Sequence, residues 1–155
     1  MAVSELNMEL KGARVLVVED DPIVAMAANM MVEELGGVVA DTAGSAAAAG
    51  EKLAKTAFDC VVLDINLRGE MTLEVAAELE VREIPYVFCT AYTHTFDGFE
   101  HVPRVTKPYC VKGLGVALNK AFAQRSGRTL WKAENSEASH PPHDGGGNRR
   151  QCRMA

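Results

Sequence analysis

The sequence lacks the features of secreted, membrane-spanning and zinc-binding proteins. Its 155 residues contain four cysteines, none in a C-x-x-C pair, and two of them lie in apolar runs where cysteine behaves as a small hydrophobic residue. Disulfides and zinc are therefore not expected. No apolar stretch approaches the roughly 18 residues that suggest a membrane span, and the first residues lack a basic start and a continuous apolar segment. We therefore expect a cytoplasmic protein that does not bind membranes.

The chain also has little positive charge. Its 16 Lys and Arg are outnumbered by 21 Asp and Glu, which gives a formal net charge of -5. This balance argues against binding to the phosphate backbone of nucleic acids, although an acidic domain could recruit a divalent cation or a basic partner. The chain length and a hydrophobic content of 48% suit one domain with a single core.

Five short apolar runs, rich in β-branched residues, alternate with stretches of good helix formers. The runs predict strands over residues 14–18, 38–40, 58–64, 86–89 and 102–106. The stretches between and after them predict helices over residues 23–35, 45–55 and 72–82, a short or irregular fourth helix, and a last helix that ends near Arg125. This alternation predicts an α/β fold with a doubly wound parallel sheet in the strand order 2-1-3-4-5.

Composition and local signals set the boundaries. Residues 1–12 are expected to form a leader, residues 13–125 the domain, and the polar residues 126–155 a disordered tail without an output domain. Asp21 before Pro22 predicts an N-cap for the first helix, and Thr72 predicts one for the third. His140, His143 and Cys152 in the tail match no common zinc spacing.

Polar residues follow four of the predicted strands. Glu19 and Asp20 follow the first strand, Asp64 ends the third, Thr90 follows the fourth and Lys107 follows the fifth. An isolated acid such as Asp64 is often only a turn residue. Because the carboxyl ends of parallel strands meet at one edge of a sheet, these five side chains are expected to converge there.

The convergence predicts phosphoryl chemistry. Three carboxylates in a small space would take up protons unless a cation is bound, and Mg²⁺ suits oxygen ligands while it keeps waters that a phosphoryl oxygen can replace. Asp64 could then act as a nucleophile towards phosphorus, since carboxylates form aspartyl phosphates. The Lys107 ammonium and the Thr90 hydroxyl would each balance part of the phosphoryl charge.

Four motifs, VLVVEDDP, VVLDINLRG, VFCTAY and VTKP, resemble in this order the signatures of response-regulator receiver domains. The resemblance implies that Asp64 accepts a phosphoryl group from a sensor histidine kinase or a histidine phosphotransfer protein. It also implies that Glu19, Asp20 and Asp64 bind Mg²⁺ together with the backbone carbonyl of Asn66, and that Thr90 and Lys107 contact the phosphoryl group.

The same resemblance implies a signalling protein rather than an enzyme, with at most slow magnesium-dependent self-dephosphorylation. The phosphorylated protein would signal through altered contacts with a downstream protein target, or it would act as a relay or phosphate sink. A phosphatase of the haloacid dehalogenase type is an alternative, but that family uses a D-x-D pair and Asn66 replaces the second acid. A receiver-like interaction module that works without phosphate is a second alternative.

Three features depart from the usual receiver pattern. Arg104 stands three residues before Lys107, where many receivers carry a Tyr or Phe that turns inward on activation. The F-x-T-x-Y pattern of Phe88, Thr90 and Tyr92 resembles the F-A-T-G-x-Y motif of stand-alone alphaproteobacterial receivers, although Ala91 replaces the glycine. Tyr92 could take over part of the switch, or it could simply pack. Only 17 positions separate Thr90 from Lys107, which predicts a reduced fourth helix.

Overall fold

The computed structural model describes residues 10–91 and 96–138, with side chains described as far as Arg125. Its strands are β1 (Arg14–Val18), β2 (Val38–Ala43), β3 (Cys60–Asp64), β4 (Asn66–Leu67), β5 (Glu70–Met71), β6 (Tyr86–Thr90) and β7 (Arg104–Thr106). Its helices are α1 (Pro22–Glu34), α2 (Ala46–Lys55), α3 (Leu73–Arg82) and α4 (Val111–Ala138). Among the described residues, no helix combines the length and apolarity needed to cross a bilayer.

Five strands form a parallel sheet in the order β2-β1-β3-β6-β7. Because β6 and β7 are the fourth and fifth strands of this sheet, the predicted order 2-1-3-4-5 is confirmed. The central strand β3 is buried at all five positions, which explains why its sequence is a continuous apolar run rather than an alternating one. Asp64 therefore stands at the carboxyl end of a fully buried strand.

Successive residues of β3 point to opposite faces of the sheet and join two separate apolar clusters. Cys60 and Val62 belong to the cluster that α1 and α4 cover, whereas Val61 and Leu63 belong to the one that α2 and α3 cover. Leu10 is also buried in the first cluster, so the last residues of the predicted leader contribute to the core. The sheet is thus held from both sides.

The residues at the N-cap positions of α1 and α3 use their side chains in different ways. Asp21 caps α1 as predicted, because its Oδ1 accepts hydrogen bonds from the amides of Ile23 and Val24 at 2.8 and 3.3 Å. Thr72 stands at the N-cap position of α3 as predicted, but its side chain makes no capping hydrogen bond. The Thr72 hydroxyl is buried and instead donates to the carbonyl oxygen of Asp64 at 2.7 Å.

The C-terminal helix is longer than predicted. It runs to Ala138 rather than ending near Arg125, and residues 126–138 contain Ala, Leu, Lys and Glu without proline, which favours helix. The prediction that the last helix ends near Arg125 is therefore wrong, whereas the disordered tail over residues 126–155 stays a prediction. The compact unit that contains the sheet ends at Arg125. Residues 139–155, with His140, His143 and Cys152, lie outside the described residues.

The segment between β6 and β7 replaces a regular helix with turns over its described part, residues 96–103. Phe99 anchors this segment, because its ring packs against Phe88 with 6.0 Å between the ring centroids, and Val102 is buried beside them. Residues 92–95, which include Tyr92, lie outside the described residues. The described part agrees with the reduced fourth helix.

A Thr72→Val substitution tests whether this side chain ties α3 to the end of β3. It keeps the shape of the side chain but leaves the Asp64 carbonyl without its donor, so we expect the free energy of unfolding to fall by about 1–2 kcal/mol in urea denaturation. The same substitution at the exposed Thr56 serves as the control and is expected to change little. A Thr72→Val protein as stable as the wild type would contradict this role.

Candidate functional site

The carboxyl ends of four parallel strands bring the predicted site residues to one edge of the sheet. A cavity of about 350 Å³ opens there. Its lining includes all five residues that the sequence placed at strand ends, namely Glu19, Asp20, Asp64, Thr90 and Lys107. Asn66 and Arg68 complete the rim on the β4 side. The predicted convergence is therefore present in the structure.

Three carboxylates form the acidic wall of this cavity. One oxygen from each of Glu19, Asp20 and Asp64 lies within 4.8 Å of the oxygens of the other two. Glu19 and Asp64 are buried, and Asp20 is partly exposed to the cavity. Hard carboxylate oxygens at this spacing, open to water on one side, fit a divalent cation such as Mg²⁺.

Lys107 links two of these acids. Its Nζ donates to Oε2 of Glu19 and to Oδ2 of Asp64, both at 2.8 Å. The backbone holds the lysine in turn, since its amide donates to the carbonyl oxygen of Thr90 at 2.8 Å. One ammonium group therefore balances charge from both β1 and β3.

The protonation of the cluster follows from burial and from these bonds. Burial raises the pKa of Glu19, and the hydrogen bonds from Lys107 and from the amide of Asp21 offset this only in part. Burial lowers the pKa of Lys107, but the bonds to Asp64 and Glu19 outweigh burial and leave the pKa above its ordinary value. Lys107 is therefore a cation at neutral pH, so it can meet an anionic ligand at the site.

The chain around Asp64 holds its carboxylate in place. The amide of Asn66 donates to Oδ1 of Asp64 at 3.0 Å, and the Thr72 hydroxyl holds the carbonyl oxygen of Asp64. The side-chain oxygen of Asn66 accepts a hydrogen bond from the amide of Gly69 at 2.6 Å, which closes the turn beside the cavity. With 5% of its surface exposed, Asp64 is accessible only through the cavity.

Thr90 and Arg104 occupy different environments. Thr90 is 1% exposed and lines the cavity at the end of β6. Arg104 begins β7, pairs with Phe88 in the sheet and lines a separate groove with Tyr109 and Val116. The structure therefore separates Arg104 from the cavity, and the switch roles of Arg104 and Tyr92 remain predictions.

Two residues of the site had no predicted part in it. Thr72 was assigned to a helix cap, because its sequence gives no sign that the hydroxyl turns back to β3. Arg68 lies in the turn of a hairpin formed by β4 and β5, and its Nε donates to Oδ2 of Asp20 at 3.0 Å. Arg-Gly is not one of the dipeptides that mark tight hairpins, so the local sequence does not predict this turn.

The family model of the response regulator receiver domain matches residues 15–112. Two curated proteins are similar to the chain: Sensory transduction protein LytR of Staphylococcus haemolyticus, 29% identical over 119 residues, and Positive alginate biosynthesis regulatory protein of Pseudomonas aeruginosa, 32% identical over 139 residues. The matches cover 73% and 85% of this chain but 46% and 54% of those proteins. The chain thus spans about half the length of these relatives.

Solved structures give the same result. SdrG from Sphingomonas melonis Fr1 is 32% identical, with a TM-score of 0.64, over 72% of this chain and 97% of that chain. The receiver domain of the PhyR response regulator from Erythrobacter litoralis is 28% identical, with a TM-score of 0.66, over 74% of this chain and 93% of that chain. With the family match, the fold and the site, these likenesses show that the chain belongs to the response-regulator receiver domains of two-component systems.

Proposed function

We propose that this protein is a phosphoacceptor that takes a phosphoryl group from a phosphohistidine onto Asp64. The single observation that carries the proposal is the contact of the Lys107 ammonium with the Asp64 carboxylate inside a cavity that Glu19 and Asp20 also line. A carboxylate nucleophile, a fixed cation and a set of metal ligands are the parts that phosphoryl transfer to Asp requires.

Glu19, Asp20 and Asp64 would hold Mg²⁺, with the backbone carbonyl of Asn66 as a further ligand. The metal would supply positive charge that neutralises the phosphoryl oxygens during transfer. It would also remove the repulsion among the three carboxylates, which a single ammonium cannot balance. The oxygen spacing in the cluster supports this assignment.

Transfer would proceed by attack of an Asp64 carboxylate oxygen on phosphorus. The new P–O bond forms as the P–N bond to the histidine breaks, and the imidazole leaves with the electron pair. Lys107 would give up one of its contacts with a carboxylate and bind a phosphoryl oxygen instead. The Thr90 hydroxyl would donate a hydrogen bond to a second phosphoryl oxygen. Water could later hydrolyse the aspartyl phosphate slowly, which would end the signal without making the protein an enzyme.

The two alternatives have less support. A dehalogenase-type phosphatase would need an acid at position 66, whereas Asn66 uses its side-chain oxygen to bind the amide of Gly69. A phosphate-independent interaction module would not need a lysine held between two buried acids. Lys107 is held in that way, and its positive charge lies where it could meet an anionic phosphoryl group.

The donor would dock beside the cavity, on α1. Ile23, Met26 and Met30 are spaced three and four residues apart, so they form one exposed apolar stripe on this helix. The helix starts directly after the acids, and Val24 lines the cavity. A kinase or phosphotransfer protein that delivers a phosphoryl group to Asp64 in the cytoplasm would have to contact this rim. A downstream target would read the phosphorylated surface.

Phosphorylation with acetyl phosphate tests the acceptor directly. The wild type in Mg²⁺ should gain the mass of one phosphoryl group, and EDTA should abolish the gain. Asp64→Asn should show no gain, because the amide cannot form the acyl phosphate. Asp59→Asn is the matched control, since Asp59 lies directly before the opposite end of β3 and accepts a bond from the Arg14 amide that Asn can also accept.

The contradicting result would be equal labelling of Asp64→Asn and the wild type, or labelling that does not depend on Mg²⁺. Either result would move the phosphorylation site away from Asp64 or remove the metal from the reaction.

Polar substitution of the stripe tests the docking surface. Met26→Ser combined with Met30→Ser should slow transfer from the phosphohistidine donor by about tenfold, because apolar contact area is lost. Phosphorylation by acetyl phosphate should keep its rate, since a small donor does not touch α1. Val81→Ser, on α3 and comparably exposed, is the control. Equal rates of protein-to-protein transfer for the stripe variant and the wild type would contradict docking on α1.

A further inference from the structure

Two positively charged side chains pair with the three acids of the site. Lys107 contacts Glu19 and Asp64, whereas Oδ2 of Asp20 accepts its bond from Nε of Arg68 at 3.0 Å. The Arg68 side chain is 79% exposed, while that of Asp20 is 17% exposed. Arg68 thus reaches from the surface to a carboxylate that belongs to the cluster of candidate metal ligands.

The backbone at Arg68 is unusual for this residue type. Arg68 and Gly69 have φ angles of 52° and 90°, and positive φ at both central residues is the pattern of a type I′ turn between β4 and β5. Asn or Gly is favoured at the first of these positions, because a Cβ with a longer side chain is strained there. The turn nevertheless carries an arginine and aims it at Asp20.

A cation and Arg68 would compete for the same carboxylate. Mg²⁺ requires direct contact with one or two carboxylates, and the Arg68 guanidinium, with a nitrogen 3.0 Å from Oδ2 of Asp20, already balances the negative charge of one of them. A metal bound to Asp20 would therefore weaken or break the bond from Arg68, and the positive charge of Arg68 would repel the metal from close by. Lys107 would remain with Asp64 and stay available for the phosphoryl group.

We propose that Arg68 is a positioning residue that holds Asp20 when the metal is absent and sets the metal affinity of the site through this competition. The inference rests on the magnesium site of the proposed function. Loss of an exposed ion pair changes an equilibrium by at most a few-fold, and removal of the nearby repelling charge adds to this. Without Arg68, Mg²⁺ should therefore bind roughly three- to tenfold more tightly at low ionic strength.

The test is a Mg²⁺ titration of the full chain followed by the amide NMR signals of Asn66 and Gly69. Arg68→Asn removes the guanidinium and at the same time introduces a residue that the turn favours, so the variant should fold at least as well as the wild type. Arg68→Lys keeps a positive charge and should give an intermediate affinity. Lys55→Ala, which removes an exposed charge at the end of α2, should bind Mg²⁺ as the wild type does.

Salt provides a second measurement that a purely structural role would not affect. The difference in affinity between Arg68→Asn and the wild type should shrink as KCl is raised to about 0.5 M, because exposed charges are screened. The proposal is supported if Arg68→Asn binds Mg²⁺ more tightly than the wild type and if this difference in affinity shrinks as the salt concentration rises. If the wild type binds Mg²⁺ and Arg68→Asn binds it equally or more weakly, the role of Arg68 is overturned and the proposed function stays intact. If neither protein binds Mg²⁺, the metal site itself fails and the competition fails with it.

Discussion

The structure depends on charge balance at one edge of its sheet. A parallel sheet delivers the ends of its strands to the same place, and here three of the residues delivered are acids whose oxygens lie within 4.8 Å of one another. Such a cluster is unfavourable unless positive charge enters it. Lys107 meets part of this need with two bonds of 2.8 Å, and it follows β7, on the far side of β6 from Asp64. The ion pairs thus tie the outer part of the sheet to its centre.

The rest of the fold keeps Asp64 where this balance can work. The strand β3 is buried on both faces between two apolar clusters, so its end cannot shift without disturbing both. Thr72 fixes the Asp64 carbonyl and the amide of Asn66 fixes one carboxylate oxygen. The other oxygen meets Lys107 in the cavity. The core therefore fixes the position of Asp64, and the charged side chains of the cavity surround the carboxylate that phosphorylation would change.

Much of this arrangement could be predicted from the sequence because it follows from patterns that act locally. Apolar runs with β-branched residues identified the strands, and the alternation with helices identified their order and so the convergence of Glu19, Asp20, Asp64, Thr90 and Lys107. The misses depend on distant partners. Whether Thr72 caps a helix or binds a carbonyl is decided by burial against β3, and the reach of Arg68 is decided by a two-residue turn that has an uncommon sequence. Nothing within those segments encodes either partner.

The most direct measurement of the central claim is a crystal structure of the protein with Mg²⁺ and beryllium fluoride, which mimics a phosphoryl group. We expect the fluoride complex to be bound to a carboxylate oxygen of Asp64, the metal to contact Asp20 and Asp64, and Lys107 to have exchanged Glu19 for a fluorine. A complex bound elsewhere, or a Lys107 that keeps both of its carboxylate contacts beside an occupied Asp64, would contradict phosphoryl transfer to Asp64 with the help of Lys107.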